Sequence, residues 1–256
     1  MQVDDSGDIR FRGCKSESCL FVEKNFILSN AAIIFQDCEY RGMQASGDVT
    51  LKNGASMSFK GCGSLQVKGG ALLVDGGLHV ENGSSLEAKS CVSWRGAGVH
   101  ATGGIESHGQ LRFIDCWAED TGGAFVSIGP ANVTGDVLIR RTSSYNHGAC
   151  SLHGGGSFDG AHIRFENLSS FAKPTFGPAA IDSQSTDRLT IKDVSFGQHV
   201  SAKGTIVETK GPLEVEGVHF TADAQHYRFV AMKGLVLKDV DCDNVESCLF
   251  EAISPN

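Results

Sequence analysis

The chain has 256 residues, 41% of them hydrophobic, which is enough to bury a substantial core. Thirty acidic against 22 basic side chains leave a net charge of −8, and nucleic-acid binding is demoted because it normally needs a basic balance. No apolar run approaches the roughly 20 residues of a membrane-spanning helix, and no signal peptide is expected before the first repeat.

From Ile9 onward one hexapeptide keeps returning: apolar, any, Phe or aliphatic, any, turn residue, then Cys or another small or apolar residue. Its copies are Ile9–Cys14, Ile33–Cys38, Met57–Cys62, Leu86–Cys91, Leu111–Cys116, Val137–Thr142, Ile163–Leu168, Leu189–Val194, Leu213–Val218 and Leu235–Val240. A recurrence in this range of lengths marks a solenoid. Within each copy apolar and polar residues alternate, as in Met57-Ser58-Phe59-Lys60, so the unit is a strand with one buried face. The fifth position is Gly, Asp, Ser or Asn in every copy but one, where Arg141 stands; these residues suit a sharp corner.

A second element follows some ten residues later, in Gly69-Gly70-Ala71-Leu72, Gly122-Gly123-Ala124-Phe125, Gly148-Ala149-Cys150, Pro178-Ala179-Ala180-Ile181 and Gly204-Thr205-Ile206. A third short strand, such as Leu78-His79-Val80, leads into the next copy. Three strands and three turns per repeat describe one rung of a parallel β-helix. No apolar stripe of helical period accompanies them, which excludes leucine-rich and ankyrin arrays. The expected fold is therefore all-β: a single-stranded parallel β-helix of about ten rungs, one domain over 1–256. Right-handedness is expected because right-handed forms predominate among large-coil β-helices.

Nine cysteines punctuate this frame. Cys14, Cys38, Cys62, Cys91 and Cys116 share one repeat position and are expected as an inward ladder of small apolar residues. Cys14 with Cys19 and Cys242 with Cys248 span the loop between main strands in the first and last rungs, where disulfides would staple the ends. Asn82, Asn132 and Asn167 fit the N-glycosylation pattern. Solenoid ends expose strand edges, so a segment of a longer protein, processing or a covering partner is expected.

The paired motifs resemble those of the chlamydial polymorphic membrane proteins, autotransported adhesins with Gly-Gly-Ala-aliphatic and Phe-x-x-Asn tetrapeptides. Here the first is Gly69-Gly70-Ala71-Leu72 and Gly122-Gly123-Ala124-Phe125. The second has Cys for Asn at Phe11–Cys14, Phe35–Cys38, Phe59–Cys62 and Phe113–Cys116. The resemblance covers about half the chain and implies a passenger-like fold and adhesion. The Asn row, a secretion signal and an outer-membrane barrel are missing from the match.

Catalysis on an acidic glycan would require carboxylates and a base on adjacent rungs. The sequence offers no adjacent Asp pair beyond Asp4-Asp5 in the lead-in. His147, Cys150 and His153, with Asp159, Arg164 and Asp182 nearby, form the sharpest constellation, and His and Cys three apart suit zinc. On a strand, though, an offset of three puts side chains on opposite faces, so a surface histidine beside a buried cysteine is the plainer expectation; neither a metal nor a cofactor is expected. The outer face of the hexapeptide strand leans basic at Arg12, Lys60, Lys89, Arg140 and Lys192, a stripe suited to an acidic glycan or simply a solvated face.

The Gly-Gly-Ala strand is apolar on two successive rows. Leu72, Phe125, Ile181, Ile206, Val230 and Leu249 make one, and Leu73, Val126, Val207, Ala231 and Phe250 the other. Alternation would turn one row outward, an apolar ladder that calls for a covering loop or partner. The expectation is a non-catalytic scaffold that binds a protein partner or joins a larger complex, placed outside the cell or in an organelle lumen rather than the cytosol. The alternative is a polysaccharide lyase or glycoside hydrolase.

Overall fold

The computed structural model describes residues 1–4, 7–160, 162–170, 178–200, 205–221, 226–242 and 247–253. Those residues form strands and turns without a helix. Sheet A has ten strands from Gln2–Asp4 to Leu235–Lys238, sheet B nine from Ile9–Arg12 to His219–Phe220, and sheet C ten from Ser18–Val22 to Ser247–Ala252. Between B and C in each central rung an extra strand builds the six-stranded sheet D, from Gly63–Lys68 to His199–Val200. All ladders are parallel and each strand pairs with its counterpart one rung later, as in Phe35↔Phe59 and Ala88↔Phe113. That is a parallel β-helix. Asp5 and Gly204 of the expected motifs lie outside the described residues.

Side-chain chemistry explains the corners. The turn residue that ends sheet B sits at positive φ in Asp37 (54°), Ser90 (53°), Asp115 (55°) and Asn167 (52°). Asp and Asn tolerate this backbone best among residues with a side chain. Arg141 adopts it as well, at 49°, and its guanidinium forms two hydrogen bonds to Asp115 one rung earlier, at 2.6 and 2.9 Å.

Inside, like stacks on like. The Phe11, Phe35 and Phe59 rings lie 5.0 and 4.8 Å apart in parallel stacks, and Phe165 and Phe196 continue the row at 5.2 Å. At Gly42 and Gly98 the chain entering sheet C comes directly against the Phe59 and Phe113 rings. A Cβ on Gly98 would stand 2.3 Å from the Phe113 ring and 2.5 Å from the Ala124 carbonyl. Gly98→Ala is expected to lower stability by about 1–3 kcal/mol through overpacking, read as a lower midpoint in denaturant titration. A neutral result would show that the Phe113 ring can move aside.

Two register expectations need correction. The last three hexapeptides do not continue in sheet B. Leu189, Leu213 and Leu235 lie in sheet A, where Ile191 pairs with Phe158 and Val215, while Phe196 and Phe220 carry on the phenylalanine row. The pattern apolar-x-apolar-x-turn-apolar fits the corner after sheet A as well as the corner after sheet B, so the repeat slips by one strand without changing its spacing. The inward ladder is accordingly Cys38, Cys62, Cys91, Cys116, then Thr142 and Leu168, all at most 2% exposed, and is followed by His199 rather than Val194. Cys14–Cys19 and Cys242–Cys248 are disulfide-bonded and five cysteines are free. No helix among the described residues is long and apolar enough to cross a membrane, a statement that does not bear on β-barrels.

Candidate functional site

Sheet D decides what the molecule shows to solvent. Counting from the inward ladder, the second residue points inward again, and Ser93, Ala118 and Ser144 are indeed fully buried. The third points out: Leu65, Trp94, Glu119 and Tyr145 follow Cys62, Cys91, Cys116 and Thr142 by three. Trp94 is 39% exposed, Tyr145 44% and Leu65 40%, high values for residues of this size. Trp117, half-buried on the same sheet face, is the only other tryptophan of the chain. Trp94, Glu119, Asp120, Tyr145 and Asn146 line a shallow depression of about 430 Å³.

A polar network backs these aromatics. The Arg95 guanidinium lies 4.4 Å over the Trp94 ring and donates to Asp120 at 2.6 Å. Asn146 donates to the other Asp120 oxygen at 2.8 Å. The next residue, His147, forms a bridge with Thr121 and brings Nδ1 within 2.6 Å of Asp182 on the following rung. The Asp182 side chain is 2% exposed, and Gln184 donates to both of its oxygens at 2.8 Å. The hydrogen bond to Asp182 raises the His147 pKa, against the opposing effect of burial. A carboxylate only accepts, so Nδ1 carries the proton and Nε2 is the remaining nitrogen on a ring one-third exposed.

Asp182 belongs to the outward row of sheet C, whose members pair in the order Leu73, His100, Val126, Ser151, Asp182, Glu208 and Val230. This row is roofed by the turns that enter sheet C: idealised Cβ atoms on Gly96 and Gly122 would meet His100 Cβ at 3.2 Å and Val126 Cγ2 at 2.6 Å. His100 is 5% exposed, and burial together with Lys68 and Arg95 pushes its pKa down to about 4. Asp182 and Glu208 are direct partners across adjacent rungs, a carboxylate pair beside an imidazole.

The expected apolar interface is therefore not a surface. Leu72, Phe125 and Ile181 are fully buried on the inner face, Ile206 is 1% and Val230 4% exposed, and only Leu249, at 47%, is open. A bulge between Thr205 and Val207 also shifts the row, so Ile181 is followed inward by Val207 and Phe229, and Val230 falls on the outward row. The zinc constellation is not assembled: Cys150 points into the core at 0% exposure and His147 is engaged by Asp182. Asp159 sits on sheet A and Arg164 on sheet B, away from that pair.

Of the basic stripe, Arg12, Lys60, Lys89 and Arg140 share the outer face of sheet B, where Arg12 lies 3.7 Å from Asp37. Lys192 lies on sheet A, 3.7 Å from Glu216, so it is not part of that row. Glu106 bridges His79 and His108 on the exterior of sheet A, at 3.2 and 3.4 Å. No protein-family model matches the chain, and neither a curated protein nor a solved structure is significantly similar to it.

Proposed function

We propose that the chain is a non-catalytic β-helical recognition scaffold that holds an extended carbohydrate chain across the outer face of sheet D. The observation that carries this reading is the exposed row Leu65, Trp94, Glu119 and Tyr145, with its backing network of Arg95, Asp120 and Asn146. Flat aromatic rings offer large contact area at little cost in conformational entropy, and the C–H faces of sugar rings fit them. Rungs of a β-helix repeat at roughly 4.8 Å, so Trp94 and Tyr145, two rungs apart, stand about 10 Å from each other, near the repeat of two linked sugar rings. The carboxylates and amide beside them match hydroxyl groups as hydrogen-bond partners. Glu119 and Asp120 repel an acidic polymer, so a neutral or amino-sugar glycan fits this face better than the polyuronate suited to the basic stripe. A scaffold of stacked rungs keeps the row pre-ordered, which spares the ordering cost of binding.

A protein partner was the expectation for the Gly-Gly-Ala strand, but of that row only Leu249 reaches solvent. The aromatic face takes its place as the recognition surface. Affinity electrophoresis through neutral and amino-sugar polysaccharides tests the reading. Retardation is expected in at least one, with Trp94→Ala and Tyr145→Ala each weakening binding about tenfold and Lys89→Ala leaving it unchanged. No retardation in any polymer, or full retardation of the double aromatic variant, removes the reading.

A further inference from the structure

At the start of the solenoid the structure brings together three sulfur atoms from two rungs. Cys14 follows the Gly13 corner of the first rung, Cys19 lies five residues on in the first strand of sheet C, and Cys38 occupies the ladder position of the second rung. Backbone pairing fixes this placement, because the Glu39 amide donates to the Cys14 carbonyl at 2.8 Å. The Cys19 and Cys38 sulfurs are 2.8 Å apart, and all three sulfurs lie within 4.8 Å of one another. Among the described residues no other trio of histidine, cysteine or carboxylate ligand atoms converges this closely.

The other ladder thiols are arranged differently. Cys62, Cys91 and Cys116 stand in single file, one per rung, each buried with its Sγ directed at a main-chain carbonyl. The first rung alone adds a second sulfur beside the file. Its strands Ile9–Arg12 and Ser18–Val22 terminate sheets B and C, and Cys14 and Cys19 are only half-buried, so solvent reaches the cluster.

We propose that Cys14, Cys19 and Cys38, once reduced, form a three-thiolate site for a soft divalent cation of the zinc class, with solvent as the fourth ligand. Zinc–sulfur bonds of about 2.3 Å hold ligand sulfurs about 3.8 Å apart in a tetrahedral site, a spacing inside the 4.8 Å that encloses all three sulfurs here, so side-chain rotation suffices. The disulfide and the metal are alternative states of the same residues. A phosphine or dithiol reductant delivers two electrons to the Cys14–Cys19 bond, which takes up two protons and gives two thiols. The cation then displaces three protons from three thiols, leaving a complex of net charge −1. Because binding releases these three protons, metal affinity rises with pH. The bound cation ties the first rung to the second, a link that the disulfide, confined to one rung, does not provide.

Cobalt(II) is the probe, because thiolate ligation gives it near-ultraviolet charge-transfer bands and the visible bands of a tetrahedral ion. The full chain, reduced with a phosphine under anaerobic conditions, is expected to develop both as one cobalt binds per chain, and zinc should displace it. Cys14→Ser and Cys19→Ser, at half-buried positions that leave the core intact, should abolish the bands. The double variant Cys242→Ser/Cys248→Ser should keep them. Circular dichroism confirms that each variant retains its strands. A reduced, folded wild-type chain without thiolate bands overturns the site, as do bands that survive Cys19→Ser or vanish with the Cys242/Cys248 pair. The glycan measurements on sheet D do not enter this outcome.

Discussion

Phe113→Ala is expected to lower the unfolding free energy by about 3–5 kcal/mol, the range for deleting a buried aromatic ring. Phe113 is 1% exposed and stands alone between the two interruptions of the phenylalanine row, Ala88 one rung before it and Ile139 one rung after it. No ring in its own row lies directly next to it, and its nearest aromatic is Phe125 of sheet C, 5.8 Å away. Ala88 offers only a methyl group, Ile139 is held fully buried in its own rung, and Gly98 already presses its backbone against the ring, so little can move in to fill the space. A solenoid adds a consequence that a globular core lacks. Each rung is coupled only to its neighbours, so a weak central rung divides the rod into two cooperative units. Denaturant titration followed by circular dichroism should show the lower midpoint together with a shallower transition. A loss below about 1 kcal/mol would mean that the rungs collapse into the gap, contrary to this account.

Asp182→Ala should cost about 2–3 kcal/mol, below the 3–5 kcal/mol of a fully buried ion pair because His147 keeps one-third of its surface in water. It should also change how stability depends on pH. The folded pKa of His147 is raised by Asp182, whereas the unfolded chain titrates near the ordinary histidine value of about 6.5. The stabilisation is therefore complete below about pH 6.5 and is lost as pH rises through the folded value. Denaturation midpoints of the wild type, measured from pH 5 to 9, should carry this falling component, and those of Asp182→Ala should lack it. Direct titration of the His147 ring by NMR should return to the ordinary range in the variant. An unchanged His147 titration would remove the pairing as its cause.

The class of fold was legible because its signals are local. A strand of period 2, a corner residue that tolerates positive φ, and an inward cysteine can be recognised within six residues, and Phe59-Lys60-Gly61-Cys62 carries all three. Which corner a copy belonged to was not legible. Leu189–Val194 has the same pattern as Ile163–Leu168, yet it lies in sheet A, because hydrogen-bond pairing between rungs sets the register and the alternation of side chains does not. The same indifference misplaced Lys192 in the basic row, whereas Ile206 and Val230 were misplaced in the apolar one by the bulge between Thr205 and Val207.

The aromatic face was within reach of the sequence, since a fixed offset of three from the ladder gives Leu65, Trp94, Glu119 and Tyr145. The sequence put His147 and Asp182 in one constellation with Cys150, His153, Asp159 and Arg164, but not that these two alone would pair, which depends on a corner carrying the imidazole to a carboxylate 35 residues away on the next rung. By itself, then, the sequence determined a parallel β-helix with an inward cysteine ladder, since each rung repeats the same short-range steric and hydrophobic choices. The tertiary structure decided which apolar row is core and which is roofed, that both tryptophans share an outer face, and that Cys19 and Cys38 meet. These follow from stacking and from the way turns fold over a neighbouring sheet, interactions between residues whose distance along the chain carries no signal of their contact.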